Sequence, residues 1–492
     1  MRYTIEGEIG VSLDFRITEH PILEFKRGRP VRIYVNGKEV KAHEGETIAA
    51  ALYASGIKVY SRSAKYGRPR GFFCGIGKCS SCLMRVDGVP HVRTCITPVK
   101  DGMKIEYEEY RGQPPVECEF EFEEGRVDAD LVIVGGGPAG LSAAITAAKL
   151  GVDVLLVDEN PKIGGQLIKQ THKFFGAKSN YAGVRGFEIA NILLRELEEE
   201  KIKSLSSTSV LGIFEEGRKH KLVAVQDNRK FIEISSNAII VATGASENYL
   251  LFPNNDLPGV YGAGGVQTLM NVYGIKPGND ALMIGAGNVG LIVSYQLLQA
   301  GVNVKGVVEV MPKIGGYLVH ASKLRRMGIP ILTRHTIKEA IGKEHVEGAI
   351  IAEVDERGQF KEGSEKYIDV DLICLAVGLT PSSELLFQAG CKYAYIPELG
   401  GQVAIHNEDL ETTIEGIYVA GDVSGIEEAS TAMMEGRIAG ANVAIKCGAS
   451  VSKAEEIREE SFKHLEALRA SPFSEKVLKG KEKVYELWRE RK

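Results

Sequence analysis

At 492 residues the chain is longer than one hydrophobic core supports, so about three domains are expected. Hydrophobic residues make up 44% and charged residues 25%, the balance of a globular protein, which excludes extended disorder. Lys and Arg number 60 against 65 for Asp and Glu, and a net charge of -5 gives no large positive field for a nucleic-acid backbone.

Arg2, Glu6 and Glu8 interrupt the region where a signal peptide needs an unbroken apolar stretch, so export is not expected and the cytoplasm is the default location. Up to about Glu124 the chain reads as short strands and turns. Residues 31–35 and 39–42 flank Asn36-Gly37, a hairpin signal, and Thr47 is a candidate cap for a helix over 48–52. This is a small α+β module.

Four of the eight cysteines crowd into this module as C-x4-C-x2-C followed by a fourth, Cys74, Cys79, Cys82 and Cys95, with Gly75, Gly77, Ser80 and Ser81 between them. Thiolates are soft ligands that suit an iron-sulfur cluster or zinc. Structural zinc usually takes two close pairs, whereas x4-x2 is the spacing of plant-type 2Fe-2S ferredoxins, and small residues let the loop close around sulfides. Cys118, Cys374, Cys391 and Cys447 stand singly among apolar or helical residues and read as buried structural cysteines.

Pro114-Pro115 and an acidic run from Glu117 interrupt the pattern, and a domain edge is expected near Gly125. A buried strand over 130–134 then runs into Gly135-x-Gly137-x-x-Gly140, with Pro138 and Ala139 inside the loop, and an Ala-rich helix follows over 141–150. Such glycines permit a tight turn and the close approach of a diphosphate to the positive end of a helix. The apolar run 131–148 has the length of a membrane span, but these glycines give it the better explanation, and no span is expected.

The unit recurs at 282–316: a strand over 281–284, Gly285-x-Gly287-x-x-Gly290 enclosing Asn288 and Val289, a helix to Ala300 and a strand to Val308. Superposing the loops pairs Gly135 with Gly285, Gly140 with Gly290, and Glu159 with Glu309. That register prefers Glu159 over Asp158 as the ribose-binding carboxylate, although Pro161 and Pro312 fall one residue out of step. No Arg closely follows Glu309, so NAD(H) is favoured over NADP(H). Ala242-Thr243-Gly244 and Gly421-Asp422 each follow a short apolar strand. The tail over 452–492 is charged and helix-favouring, with Ile457, Phe462, Leu465 and Leu468 at helical spacing, and is expected to pack on the body or on a partner.

Residues 135–140, Gly164-Gly165-Gln166, Ala242-Thr243-Gly244, residues 285–290 and 418–422 resemble the two-dinucleotide pyridine nucleotide oxidoreductases over roughly 126–448. With the N-terminal four-cysteine module, the layout is similar to the alpha subunits of heteromeric sarcosine oxidases and dye-linked L-proline dehydrogenases. The resemblance implies an α/β fold of two doubly wound, Rossmann-like domains, one inserted in the other, preceded by a small α+β ferredoxin-like (β-grasp) domain. Domains are expected at 1–125, at 126–258 with 371–450, at 259–370, and as a helical tail at 451–492. It further implies FAD at the first site, or another adenine nucleotide such as NAD or ATP, with Asp422 beside the flavin ribityl chain, and NAD(H) at the second. The partner implied is an FAD-containing beta subunit in a hetero-oligomer, with FMN between subunits.

Thioredoxin reductases carry a C-x2-C before the second loop and glutathione reductases a C-x4-C after the Gly-Gly pair. Residues 166–290 contain no Cys, which excludes a redox-disulfide mechanism. No cysteine after Cys447 could supply the Cys-rich C-terminal domain of opine-oxidase-like relatives. Three functions fit: a subunit relaying electrons in the oxidation of a secondary amino acid, a free-standing NADH:acceptor oxidoreductase, and a nucleotide-binding structural subunit. No catalytic proton donor is identified, because hydride chemistry belongs to the cofactors.

Overall fold

The computed structural model describes residues 14–108, 123–217 and 219–490. It divides into two units, the described part of Met1–Cys118 with Tyr249–Val377, and the described part of Glu119–Asn248 with Gly378–Lys492. The chain thus changes unit at 248/249 and 377/378, where the sequence suggests 258/259 and 370/371. Arg2, Glu6, Glu8, Pro114, Pro115, Glu117 and Cys118 lie outside the described residues.

In the first unit, strands Pro30–Val35 and Lys38–His43 form the expected hairpin, with Asn36 and Gly37 at φ 46° and 81°, the left-handed pair a two-residue turn requires. Lys104–Glu106, Leu83–Val86 and Val89–Arg93 complete a five-stranded sheet. Thr47 caps helix Ile48–Ala54, its hydroxyl accepting from the Ala50 N–H at 3.3 Å, and the small Ala-rich helix is buried on every side.

The unit also holds a parallel sheet in the order Val260–Gly262, Leu372–Leu375, Asp280–Ile284, Asn303–Glu309, Ile331–Thr333, and a three-stranded antiparallel sheet of His335–Ile341, Gly348–Glu353 and Lys366–Ile368. Helix Asn288–Gln299 crosses between two of its adjacent strands, Asp280–Ile284 and Asn303–Glu309. A single hydrophobic core runs through both modules: Ile33, Leu52, Met84 and Ile105 are continuous with Met270, Met283, Leu291 and Val307. Polar ties reinforce it, since Arg27 donates to the carbonyls of Tyr273 and Gly274 at 2.5 and 2.8 Å, and the Tyr53 hydroxyl donates to the Pro277 carbonyl.

The second unit is built on strands Lys203–Leu205, Val154–Val157, Glu123–Val134, Lys230–Val241, Lys219–Gln226 and Thr208–Glu216, with Ile417–Val419 added alongside Lys230–Val241. Strand Glu123–Val134 starts seven residues before the expected 130 and contains Gly125. Its first half is a solvent-facing ribbon paired from Glu123 with Lys230, so it carries no apolar run for sequence reading to catch. Helices Pro138–Lys149 and Ala429–Lys446 approach backbone to backbone: a Cβ on Gly436 would lie 2.1 Å from the Ala139 carbonyl oxygen, and one on Gly440 2.6 Å from that of Ala143. Tail helices Val451–Arg469 and Glu475–Glu490 belong to this unit, and Leu465, with Ile457, Phe462 and Leu468 around it, joins its core. Among the described residues no helix is long and apolar enough to cross a membrane.

Candidate functional site

The cysteine loop turns inward on three left-handed residues, Gly75, Gly77 and Ser80, at φ 67°, 76° and 57°. Turns of this kind aim backbone N–H groups into a concavity that favours negative charge. Those of Ile76 and Cys79 reach the Cys74 sulfur, that of Ser81 reaches Cys79 and that of Cys95 reaches Cys82. Cys74, Cys82 and Cys95 are buried and Cys79 half-buried.

The sulfurs meet as two pairs, Cys74 with Cys79 and Cys82 with Cys95, joined through a Cys74–Cys95 contact. Hydrogen bonds from Cys79 and then Cys95 hold the Cys74 thiol well below its usual range, and the Cys95 contact lowers Cys82; the donating partners Cys79 and Cys95 are raised correspondingly. Among the described residues no three His, Cys, Asp or Glu side chains are grouped as one metal ion would need. Four thiols ringed by N–H groups are a donor set that suits a 2Fe-2S cluster, which Cys74, Cys79, Cys82 and Cys95 would hold.

The loop is seated on the neighbouring module of its own unit. A Cβ on Gly265 would lie 2.1 Å from the Phe73 carbonyl, and one on Gly75 3.2 Å from Thr268 Cβ, at the start of the π-turn Thr268–Val272. Of the singly placed cysteines, Cys374 and Cys391 are buried as expected, but Cys447 is exposed, because it caps the end of helix Ala429–Lys446 just beyond the helix's buried length.

Each glycine of the two loops has a separate physical role. Gly135 and Gly285 have φ of 109° and 103°, and a Cβ on either would lie 2.3 Å from a carbonyl oxygen, that of Ala242 or of Ala376. A Cβ on Gly140 or Gly290 would strike the carbonyl of Gly135 or Gly285 at 1.8 or 2.0 Å. At the middle position there is room: the nearest atom to a Cβ on Gly137 is 3.9 Å away, and nothing lies within 4 Å at Gly287. The outer glycines are thus demanded by the fold and the middle ones leave open space at a helix N-terminus, which a diphosphate fits. Pro138 and Asn288 are the first helical residues, with buried Ala139 and exposed Val289 next to them.

The carboxylates correct the register. Asp158 Oδ2 accepts from the Gly136 N–H at 2.6 Å and Oδ1 from the Asn160 N–H at 2.7 Å. Glu309 repeats this, accepting from Ala286 at 2.8 Å and Met311 at 2.9 Å. The structural counterpart of Glu309 is therefore Asp158, and the pairing with Glu159 fails. Val134 pairs with Val157 as Ile284 pairs with Val308, but strand Asn303–Glu309 skips Lys305 between Ala281↔Val304 and Leu282↔Gly306. This β-bulge adds one residue and shifts the second acid by one place. Burial raises the Asp158 carboxyl against its N–H partners; Glu159 lies half-exposed beside it.

Around the first loop, a Cβ on Gly165 would lie 2.6 Å from Gly137 Cα, so Gly165 forms the facing wall, with exposed Gln166 next to it. The Thr243 hydroxyl donates to the Ser382 carbonyl at 2.6 Å, between Ala242 and the left-handed Gly244. Gly421, at φ 77°, faces Ala139, and burial pushes the Asp422 carboxyl up to about 7, with Glu435 and Glu427 adding to the rise. Near the second loop, Arg325 and Arg326 line a cavity of about 480 Å³ with Leu318 and Thr333, the last paired with Glu309.

Residues 129–436 match the family described as pyridine nucleotide-disulphide oxidoreductase. The chain belongs to that family. It is a family of flavin- and NAD-type oxidoreductases, and residues 28–110 also match a 2Fe-2S iron-sulfur cluster binding domain. This pyridine nucleotide oxidoreductase is 25% identical over 456 residues to the alpha chain of the sarcosine oxidase of Corynebacterium sp. (strain P-1), covering 87% of this chain and 45% of that one. It is 29% identical over 336 residues to an opine oxidase subunit of Agrobacterium tumefaciens (strain Ach5), covering 63% and 64%. The crystal structure of L-proline dehydrogenase from P. horikoshii superposes with a TM-score of 0.66 at 29% identity, over 90% of this chain and 79% of that one. The chain spans less than half the length of the sarcosine oxidase subunit it matches, and its likeness is to subunits of multi-subunit enzymes.

Sequence reasoning misses a buried ionic group, Glu427, Glu435, Arg469 and Lys481, beneath the Gly421-Asp422 turn. Its one legible trace is Glu435, a carboxylate among the small and apolar residues of Ala429–Lys446.

Proposed function

We propose that this chain is the electron-transferring subunit of a hetero-oligomeric oxidoreductase that oxidises a secondary amino acid of the proline or sarcosine type. The carrying observation is a paired four-cysteine loop in a chain with two open-centred dinucleotide loops and no disulfide motif between them. The first site takes FAD or another adenine nucleotide, the second NAD(H), and the cysteine loop a 2Fe-2S cluster. When bound, flavin and nicotinamide supply hydride chemistry and the cluster supplies single-electron steps.

The chain's own residues bind and orient. N–H groups at the starts of Pro138–Lys149 and Asn288–Gln299 hold diphosphates across Gly137 and Gly287. Asp158 and Glu309 accept ribose hydroxyls, with Glu159 at the rim. Ala242, Thr243 and Gly244 with Gly421 and Asp422 border the first ligand, and Cys74, Cys79, Cys82 and Cys95 hold the irons. The amino acid is oxidised on an FAD-containing beta subunit, with FMN at the subunit interface. Co-expression with that partner and assay of proline- and sarcosine-dependent dye reduction tests this. Reduction that needs both subunits is expected, and no activity with any secondary amine from an intact complex contradicts it.

A second reading, a free-standing NADH:acceptor oxidoreductase, is favoured by the one core shared between the cysteine module and the NAD-type module. Full NADH-dye activity from the isolated chain would select it.

A further inference from the structure

The C-terminal tail lies beyond the residues that match the family, yet it sends two cations into the interior of the second unit. Arg469 ends the helix Val451–Arg469, and Lys481 sits in the helix Glu475–Glu490; their side chains are 9% and 2% exposed. Both meet Glu435, itself 2% exposed, whose Oε1 accepts from Arg469 at 2.7 Å and from Lys481 Nζ at 2.9 Å.

Glu435 uses its other oxygen on the turn after strand Ile417–Val419. Oε2 accepts from the Gly421 N–H and from the Ser424 hydroxyl, both at 2.8 Å. Lys481 Nζ also donates to the Ser424 hydroxyl at 2.8 Å and to its carbonyl at 3.2 Å. Arg469 closes the group by gripping Glu427, whose own N–H donates to Asp422 Oδ1 at 3.3 Å. Gly421, Asp422 and Ser424 are therefore held, directly or through one glutamate, by a cation from the tail.

Charge makes the arrangement conditional. Burial alone would raise the Glu435 carboxyl, but Lys481 and Arg469 bring it down to about 2, so the docked tail favours its ionised form. A buried carboxylate that loses a partner is driven to take up a proton or to move. Packing leaves no slack for a shifted tail: a Cβ on Gly480 would lie 2.6 Å from Leu399 Cγ, and Gly425, at the end of the turn, already abuts Leu399.

We propose that Lys481 is a positioning residue for the first dinucleotide site, acting through Glu435 to fix the Gly421-Asp422 turn. This rests on the reading of that turn as the border of the first site. The tail is then part of the nucleotide-binding apparatus, and nucleotide binding and tail docking are linked, each strengthening the other.

The chain's single tryptophan, Trp488, lies on the Lys481 helix and reports docking. The full chain, Lys481→Met and Lys481→Arg are stripped of nucleotide and titrated with FAD and, separately, with ATP at the first site and with NADH at the second. Trp488 emission is followed throughout. The expected result is at least about a tenfold loss of first-site affinity in Lys481→Met, as for a buried ion pair that loses one partner. Lys481→Arg should recover most of it, and NADH affinity should be unchanged in both. Gly480→Val, which displaces the helix without removing a charge, should reproduce the Lys481→Met loss. Unchanged first-site affinity in Lys481→Met, with the wild type binding normally, overturns the linkage alone. A wild type that binds neither FAD nor ATP there overturns the linkage together with the site reading on which it rests.

Discussion

Replacing Gly137 by alanine should separate ligand binding from folding, and replacing Gly140 should not. At Gly140 the new Cβ would sit 1.8 Å from the Gly135 oxygen. Reaching ordinary contact needs a retreat of about 1.5 Å between the strand end and the helix, an overpacking cost of about 1–3 kcal/mol or more. At Gly137 the backbone is extended, φ -80° and ψ -171°, and the nearest atom is 3.9 Å away. The cost there is the glycine-over-alanine preference at a helix cap, below about 1 kcal/mol. The methyl group nevertheless fills the space a diphosphate must cross, and at least about a tenfold loss of affinity is expected, equivalent to about 1.4 kcal/mol. Urea unfolding of the nucleotide-free variants gives the stability term, and titration with FAD and ATP gives the binding term. Gly137→Ala with wild-type affinity, or Gly140→Ala with wild-type stability, refutes the assignment of roles.

Other expectations follow from the same geometry. Burial, reinforced by Lys481, lowers the His406 imidazole to about 4, so between pH 6.5 and 4 the unfolded chain binds the extra proton and the folded unit does not. The neutral imidazole's contribution is therefore complete above pH 6.5 and lost toward pH 4, about 3 kcal/mol for a shift of this size. Asp422, raised to about 7, works in the opposite sense over the same range, so the test is the difference in urea midpoints between wild type and His406→Gln across pH 4–7, in which wild type should lose ground as pH falls. Cys82→Ser should lose most of the bound iron, whereas Cys447→Ser, on the exposed helix end, should keep all of it; equal iron in both breaks the ligand assignment. Glu309→Ala should weaken NADH about tenfold, the scale of one lost charge-assisted hydrogen-bonded contact. Wild type should prefer NADH to NADPH, and an NADPH preference would instead give the Arg325–Arg326 cavity the phosphate.

What sequence reveals here depends on how local the physical demand is. The outer glycines are required by a carbonyl five residues away or on the adjacent strand, so their spacing alone announces the loop. The cysteine spacing is legible for the same reason, since three of the four sulfurs come from one turn. Asp158 is misplaced by the sequence register because a β-bulge at Lys305 displaces one copy of the repeat by a residue, and a bulge in a parallel strand leaves little trace in apolar patterning. The shared core of the cysteine module and the NAD-type module rests on Gly265 meeting the Phe73 backbone and on Arg27 reaching Tyr273, contacts between residues about 200 or more apart in sequence. The ionic group beneath Gly421 likewise joins residues from a matched helix and an unmatched tail, and only Glu435, charged where its neighbours are small, hints at it.

The central claim is that one chain holds a cysteine-bound iron pair together with adenine nucleotide, and chemical analysis of the purified protein tests it most directly. Non-haem iron, acid-labile sulfide and heat-released nucleotide should be found at about two, two and at least one per chain, with visible bands that bleach on reduction. Protein folded as described but free of iron, sulfide and any adenine nucleotide, after purification with its partner under exclusion of oxygen, would contradict the account.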